Sequence, residues 1–149
     1  DGPAVFVDYA HTPIALEGAL RALRAHCRGQ LWCVFGCGGD RDRGKRSQMG
    51  KAAERQGDQV VITTDNPRSE DPRAIIDEIL GGLERPQQST VIEDRAAAIA
   101  WTISNAAEHD VVLVAGKGHE DYQEIDGERV AFSDYGVAKQ ALSARGGAQ

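Results

Sequence analysis

The stretch Leu31–Arg46, LWCVFGCGGDRDRGKR, sets the frame for the whole chain. Its first five residues are all apolar, with none of the polar alternation of a half-exposed strand. Such a run suits a strand covered on both faces of a parallel sheet. The glycines Gly36, Gly38 and Gly39 then turn the chain into a charged loop. In open α/β sheets, loops of this kind lie outside the carboxyl ends of the strands, where ligands bind.

Val111–Ala115 repeats the apolar pattern, and Ala4–Val7, Val60–Thr63 and Thr90–Ile92 complete a set of five candidate strands. Between them, Leu16, Ala19, Leu20, Leu23 and Cys27 recur at helical spacing, as do Ala96, Ile99, Ala100, Ile103 and Ala107. Thr12-Pro13 and Asp71-Pro72 each place a capping side chain before a proline suited to the first helical position. Gly81-Gly82 ends the helix that carries Ile75, Ile76, Ile79 and Leu80. Gln123–Ile125 and Arg129–Phe132 flank Asp126-Gly127, a strong hairpin signal, and a last helix is expected from Ser133 or Asp134. The fold expected is α/β: three layers, a mostly parallel sheet of Rossmann-like topology, and a β-hairpin near the C-terminus. A frayed tail is expected at Ala144–Gln149, and Trp32 and Trp101 are expected in the core.

That topology gathers four unusual loops on one edge: 8–13, 36–46, 64–71 and 116–122. The second nearly spells a phosphate-binding loop, since Gly39–Lys45 fits GxxxxGK. Arg46, however, stands where a Ser or Thr hydroxyl would be needed for Mg²⁺, which argues against a self-sufficient nucleotide triphosphatase. Residues 40–55 carry six basic residues against three acidic ones, a local +3 that leaves −9 for the rest of the chain. This basic island points to an anionic ligand, although a solvated helix start would look the same. Asp65-Asn66-Pro67-Arg68 reads equally well as a turn opener or as a carboxylate-binding fork. His11 fits a packed or capping histidine as well as a functional one, and Glu120 either faces solvent or meets an amine. Cys33 and Cys37 are expected to pack.

With 149 residues, 41% of them hydrophobic and 27% charged, the chain has the composition of one ordinary globular domain. Its net charge of −6 argues against a dedicated nucleic-acid binder. No apolar run approaches a membrane span. Three cysteines with no CxxC indicate neither a disulfide framework nor a zinc knuckle, and free thiols suit the cytoplasm. The opening Asp1-Gly2-Pro3, without Met or leader, looks like a cut in a longer polypeptide.

Read together, VDYAHTP, VFGCGGDRDRGKR, TTDNPRSEDP and VAGKGHEDYQ resemble the C-terminal domain of the Mur ligases, in order from about Val7 to Leu142. DNPR resembles the signature of the diaminopimelate-adding branch. Ile14, where Asp is usual, and Ser47, where Pro is usual, depart from the family pattern.

The resemblance implies an ATP-dependent, ADP-forming amide ligation in peptidoglycan synthesis. ATP activates a glutamate carboxylate of a UDP-muramoyl-dipeptide, and diaminopimelate attacks the acyl phosphate. It further implies that residues 1–149 form the amino-acid-binding domain. The N-terminal UDP-binding domain and the central ATPase domain, which holds most of the ATP and Mg²⁺ contacts, would lie outside this chain.

By motif, Arg41, Asp65, Asn66, Pro67, Arg68, Gly116 and Glu120 would hold diaminopimelate. Asp8, Tyr9, His11 and Lys45 would lie near the nucleotide. No metal ligand and no certain catalytic residue is implied here, and the isolated domain would be inactive. The partners implied are small molecules, with no nucleic acid or membrane. A lysine-adding relative and a stand-alone anion-binding module are the competing readings.

Overall fold

The computed structural model describes residues 2–147. The five expected strands form a single parallel sheet from β1 (Ala4–Asp8), β2 (Leu31–Phe35), β3 (Gln59–Ile62), β4 (Thr90–Val91) and β5 (Val111–Ala115). Their order is β1-β5-β2-β3-β4. The two fully apolar runs, β2 and β5, are therefore neighbours at the centre, paired from Leu31 opposite Val111 to Val34 opposite Val114. Strand β1, at the edge, is only half covered.

Helices α1 (Pro13–Arg24), α2 (Gly44–Gln56) and α3 (Pro72–Leu80) cover one face, and α4 (Arg95–Asn105) and α5 (Asp134–Gly147) cover the other. Strand β2 shows why both faces must be apolar. Leu31, Cys33 and Phe35 enter the core with Leu16, Leu20, Met49 and Ile76, whereas Trp32 and Val34 enter the core with Ile99 and Ile103. Successive strand side chains point to opposite faces, so each face takes every second residue. The chain winds β2-β3-β4 outward on one side. It then returns through α4 to insert β5 between β1 and β2, the doubly wound arrangement expected.

The caps behave as read. Thr12 Oγ1 accepts from the Ala15 amide at 3.1 Å, and Asp71 Oδ1 accepts from the Arg73 amide at 3.0 Å. The hairpin forms as β6 (Tyr122–Ile125) and β7 (Glu128–Ala131), a separate two-stranded sheet. Asp126 and Gly127 both take positive φ, 53° and 83°, as its two-residue turn demands.

Three expectations need correction. The buried face of α4 is Ala98, Ile99, Thr102 and Ile103, whereas Ala100 and Ala107 are exposed, because the helix is rotated to bring Arg95 inward. Trp101 lies on the outer side of α4, 37% exposed, and meets buried Trp32 edge-on with centroids 6.1 Å apart. Trp32 itself is core, its indole N–H donating to Asp110 at 2.9 Å. Of the tail expected to fray, Ala144–Gly147 continue α5, and residues 148–149 lie outside the described residues. Cys33 and Cys37 pack as expected, with burial pushing each thiol up to about 12.

Candidate functional site

The carboxyl ends of β1, β2, β3 and β5 open onto one cleft of about 360 Å³. Tyr9 and His11 from the first loop, Arg41 and Lys45 from the second, Asp65, Asn66 and Arg68 from the third, and Gly116 and Glu120 from the fourth all line it. These loops are remote in sequence and converge only because the strands are parallel and adjacent. Two residues expected there do not line the cleft. Asp8 turns its carboxylate back onto the Ala10 amide at 2.9 Å, and Pro67 supports the loop from behind, its carbonyl accepting from the Glu70 amide at 3.0 Å. The second and third loops touch so closely that a Cβ on Gly39 would overlap the Pro67 carbonyl.

Half of the basic island is paired with carboxylates. Arg46, 1% exposed, donates to both oxygens of Glu70 at 3.0 and 2.7 Å, to Glu78 at 3.2 Å and to the Gly38 carbonyl at 3.0 Å. Arg43 pairs with Glu78 at 2.6 Å, and Arg55 reaches Glu17 at 3.7 Å. Arg46 therefore clamps the second loop to α3 and its preceding turn. Among the described residues, Arg41 and Lys45 face the cleft without a carboxylate partner.

Three of the loop's amides are also committed. Gly39 donates to Asn66 O, Asp40 to Glu70 and Gly44 to Asp42. A phosphate cradle needs such groups free, and no cluster able to hold a metal ion occurs among the described residues. The residues present do not fit a self-contained ATP–Mg²⁺ site.

The Arg46 guanidinium, helped by the Asp40 amide, holds the Glu70 carboxyl down from an ordinary 4.5 to about 2. A depressed acid contributes stability that is full above its ordinary value and lost as pH falls toward the folded one. Unfolding free energy should therefore decline as pH drops from about 4.5 to about 2, and Glu70→Gln should flatten that decline. Denaturant titrations across this range check it, and parallel pH profiles for the two proteins would refute it.

On the other wall, Asp65 is 9% exposed, and its carboxylate accepts no hydrogen bond from the described residues. Burial pushes its carboxyl above the ordinary range, opposed by the charges of Arg95 and Lys117. Gly116 makes room for it. At φ +117° its backbone is one that side chains rarely adopt, and a Cβ there would sit 2.6 Å from Asp65 Oδ2. Asn66 accepts at Oδ1 from Lys117 Nζ (2.8 Å) and from the Glu124 amide (2.9 Å). Its amide nitrogen donates to none of the described residues.

Arg68 holds a left-handed backbone, φ 53°, rare for a side-chain-bearing residue. The strain is held in place by the hairpin, because the Arg68 amide donates to Glu124 O and its carbonyl accepts from the Asp126 amide, both at 2.8 Å. The guanidinium is partly engaged, with Nε on Glu124 at 3.1 Å and Nη1 on the Gly39 carbonyl at 2.9 Å. Its fork is thus less free than the sequence suggests.

Sequence reasoning placed Tyr122 at this edge, at the end of the fourth loop, but missed the rest of the hairpin's contribution. Tyr122, Glu124 and Arg129 line the same cleft, with Arg129 stacked 4.1 Å over the Tyr122 ring and 3.7 Å from Glu124. Only the hairpin's docking on the third loop brings them there. The lining holds five cations (Arg41, Lys45, Arg46, Arg68 and Arg129) against four carboxylates (Asp42, Asp65, Glu120 and Glu124), and the signs interleave where Glu124 sits between Arg68 and Arg129.

Known proteins agree with this architecture. The sequence profile of the family described as Mur ligase, glutamate ligase domain, matches residues 1–118. The chain is 58% identical over 138 residues to the UDP-N-acetylmuramoyl-L-alanyl-D-glutamate–2,6-diaminopimelate ligase of Vibrio parahaemolyticus, covering 93% of this chain and 28% of that protein. It is equally similar, over 144 residues, to the enzyme of that name from Pseudomonas putida, covering 97% and 29%. A solved structure of a ligase of the same name superposes with a TM-score of 0.92 at 46% identity, over 95% of this chain and 29% of that one. A murein peptide ligase from Psychrobacter arcticus, at 17% identity, TM-score 0.62 and 98% and 28% coverage, shares the fold. The chain spans less than a third of the length of the curated relatives it matches.

Proposed function

We propose, from the premise that this chain belongs to the Mur ligase family, that it is the domain that holds the incoming amino acid of an ATP-dependent amide ligase. The amino acid is meso-diaminopimelate, and the acceptor is UDP-N-acetylmuramoyl-L-alanyl-D-glutamate. The relatives at 58% identity carry that activity in their names. The observation that carries the proposal is the interleaved charge of the cleft. Asp65, 9% exposed and accepting no hydrogen bond at its carboxylate from the described residues, shares the lining with Arg41, Arg68 and Asn66, whose amide nitrogen is uncommitted.

Diaminopimelate offers two ammonium groups and two carboxylates, and it suits such a wall. Asp65 and Glu120 receive ammonium groups, while Arg41, Asn66 and Arg68 receive carboxylates. Holding the amine in place converts its attack on an activated carboxyl from a bimolecular encounter into a positioned one. His11 is exposed at the rim, its Nδ1 2.9 Å from the Tyr9 carbonyl and its ring packed on Tyr9; by motif, Tyr9, His11 and Lys45 would form the side that meets nucleotide in the complete enzyme. That reaction is cytoplasmic, where its nucleotide substrates are found.

The test is the protein extended upstream of Asp1. It should contain a GxxxGK[ST] ATPase segment and form ADP only when the muramoyl dipeptide and diaminopimelate are both present. Equal turnover with lysine would favour a lysine-adding enzyme, and no turnover with either would favour a stand-alone module.

The 149-residue chain itself should release no phosphate from ATP above background, because three amides of its glycine loop are occupied and Arg46 replaces the Mg²⁺-binding hydroxyl. A malachite-green assay with and without Mg²⁺ checks this. Mg²⁺-dependent release abolished by Lys45→Ala would overturn it.

A further inference from the structure

We infer that Lys117 is a positioning residue that sets the polarity of the amino-acid site, presenting Asn66 as a donor and Glu120 as an acceptor. It rests on the reading just given for the ligand, but its observation is separate.

Lys117 is fully buried behind the cleft. Its ammonium group donates to Asn66 Oδ1 at 2.8 Å and to Glu120 Oε1 at 3.3 Å, and lies 5.4 Å from the centre of the Tyr122 ring. An ammonium group can only donate. The end of the Asn66 amide that meets it must therefore be oxygen. The Glu124 amide, the second donor on the same oxygen at 2.9 Å, imposes the same choice. The Asn66 nitrogen is left facing the cleft, where it can serve only an acceptor such as a carboxylate.

The same ammonium fixes Glu120 by one oxygen and leaves the other for a ligand's ammonium group. One buried charge thus touches both positions, setting the donor at Asn66 together with the Glu124 amide and the acceptor at Glu120 on its own. A buried Lys almost always has such a partner, and here both of its side-chain partners are cleft-lining residues.

The test uses the ¹⁵N-labelled 149-residue chain as wild type, Lys117→Met and Asn66→Asp, each titrated with meso-diaminopimelate. In the ligand-free wild type the Asn66 side-chain NH₂ pair should be resolved at fixed shifts, and in Lys117→Met it should move toward the free-amide position. Asn66→Asp keeps an oxygen for Lys117 and for the Glu124 amide, so it should fold with little change in Tm. It should nevertheless bind diaminopimelate about tenfold to a hundredfold more weakly, because an acceptor now faces the ligand's carboxylate.

An unchanged Asn66 pair in folded Lys117→Met would overturn the inference, as would Asn66→Asp binding within about threefold of wild type. If Lys117→Met does not fold, Asn66→Asp decides. If the wild type binds no diaminopimelate, the ligand assignment fails, and the ligand-free Asn66 pair still decides the role of Lys117.

Discussion

Replacing Arg95 with methionine is expected to destabilise the chain by about 3–5 kcal/mol, the cost of removing one partner from a buried ion pair. Arg95 and Asp134 are both 0% exposed and form two hydrogen bonds of 2.7 Å that join the first turns of α4 and α5. Nη1 donates to Thr64 O at 2.8 Å, and Nη2, besides Asp134, donates to Ala115 O at 3.0 Å. Methionine matches the length of the stem but leaves Asp134 as a buried, uncompensated carboxylate and two carbonyls without donors.

For a domain of this size the loss corresponds to a fall in Tm on the order of 10 °C. Asp134→Asn, which keeps an acceptor and removes the charge, should cost less. Thermal unfolding followed by circular dichroism measures both. A Tm within about 2 °C of wild type for Arg95→Met would show that the pair holds nothing together. Thr64 and Ala115 immediately precede Asp65 and Gly116, so the loss should also loosen the cleft in any protein that survives folding.

The second large effect belongs to Arg68 in the complete enzyme. Diaminopimelate differs from lysine by one carboxylate at its far end, and selection requires a group satisfied by that carboxylate alone. With Nε and Nη1 already engaged, Arg68 meets a ligand through its remaining Nη2 and its charge, 19% of the side chain being exposed. Arg68→Ala should lower kcat/KM for diaminopimelate by roughly two to four decades, the range for breaking a desolvated charge pair. Lysine never made the contact, so its low activity should change little or rise.

Alanine also inherits the left-handed backbone at φ 53°, a cost of about 1 kcal/mol that glycine avoids. Arg68→Gly should therefore recover stability without recovering activity, and Arg68→Lys should restore charge without the planar fork. Steady-state kinetics on both amino acids settles it. Diaminopimelate activity within about threefold of wild type, or equal losses on both substrates, would remove Arg68 as the selector.

What the sequence could and could not convey follows from the range of each interaction. LWCVF and VVLVA announce a two-faced central sheet because burial on both sides leaves no polar position. Thr12-Pro13, Asp71-Pro72 and Asp126-Gly127 are local signals, and each forms the cap or turn it encodes. The four loops were legible as one edge because parallel strands place their carboxyl ends together.

The partners of buried charges were not legible. Arg46 meets Glu70 and Glu78 from 24 and 32 residues away, and Arg95 meets Asp134 across 39. Nothing local distinguishes these arginines from solvated ones, so the basic island looked freer than it is. Trp101 was misplaced because an alanine-rich helix offers several apolar faces. Glu124 and Arg129 were missed because a hairpin's pattern gives its pairing but not the surface on which it docks.

The balance of five cations against four carboxylates around the cleft also bears on how quickly a ligand is captured. Charges that alternate over a few ångströms cancel at long range, and at physiological salt the field is screened within about 8 Å. A zwitterionic amino acid is therefore not drawn in from a distance. It arrives by unsteered diffusion and is sorted only on contact, so its association rate should scarcely respond to ionic strength, whereas its dissociation rate carries the discrimination. Anions abundant in the same solution gain no head start from the arginines, because the carboxylates beside them cancel the long-range attraction.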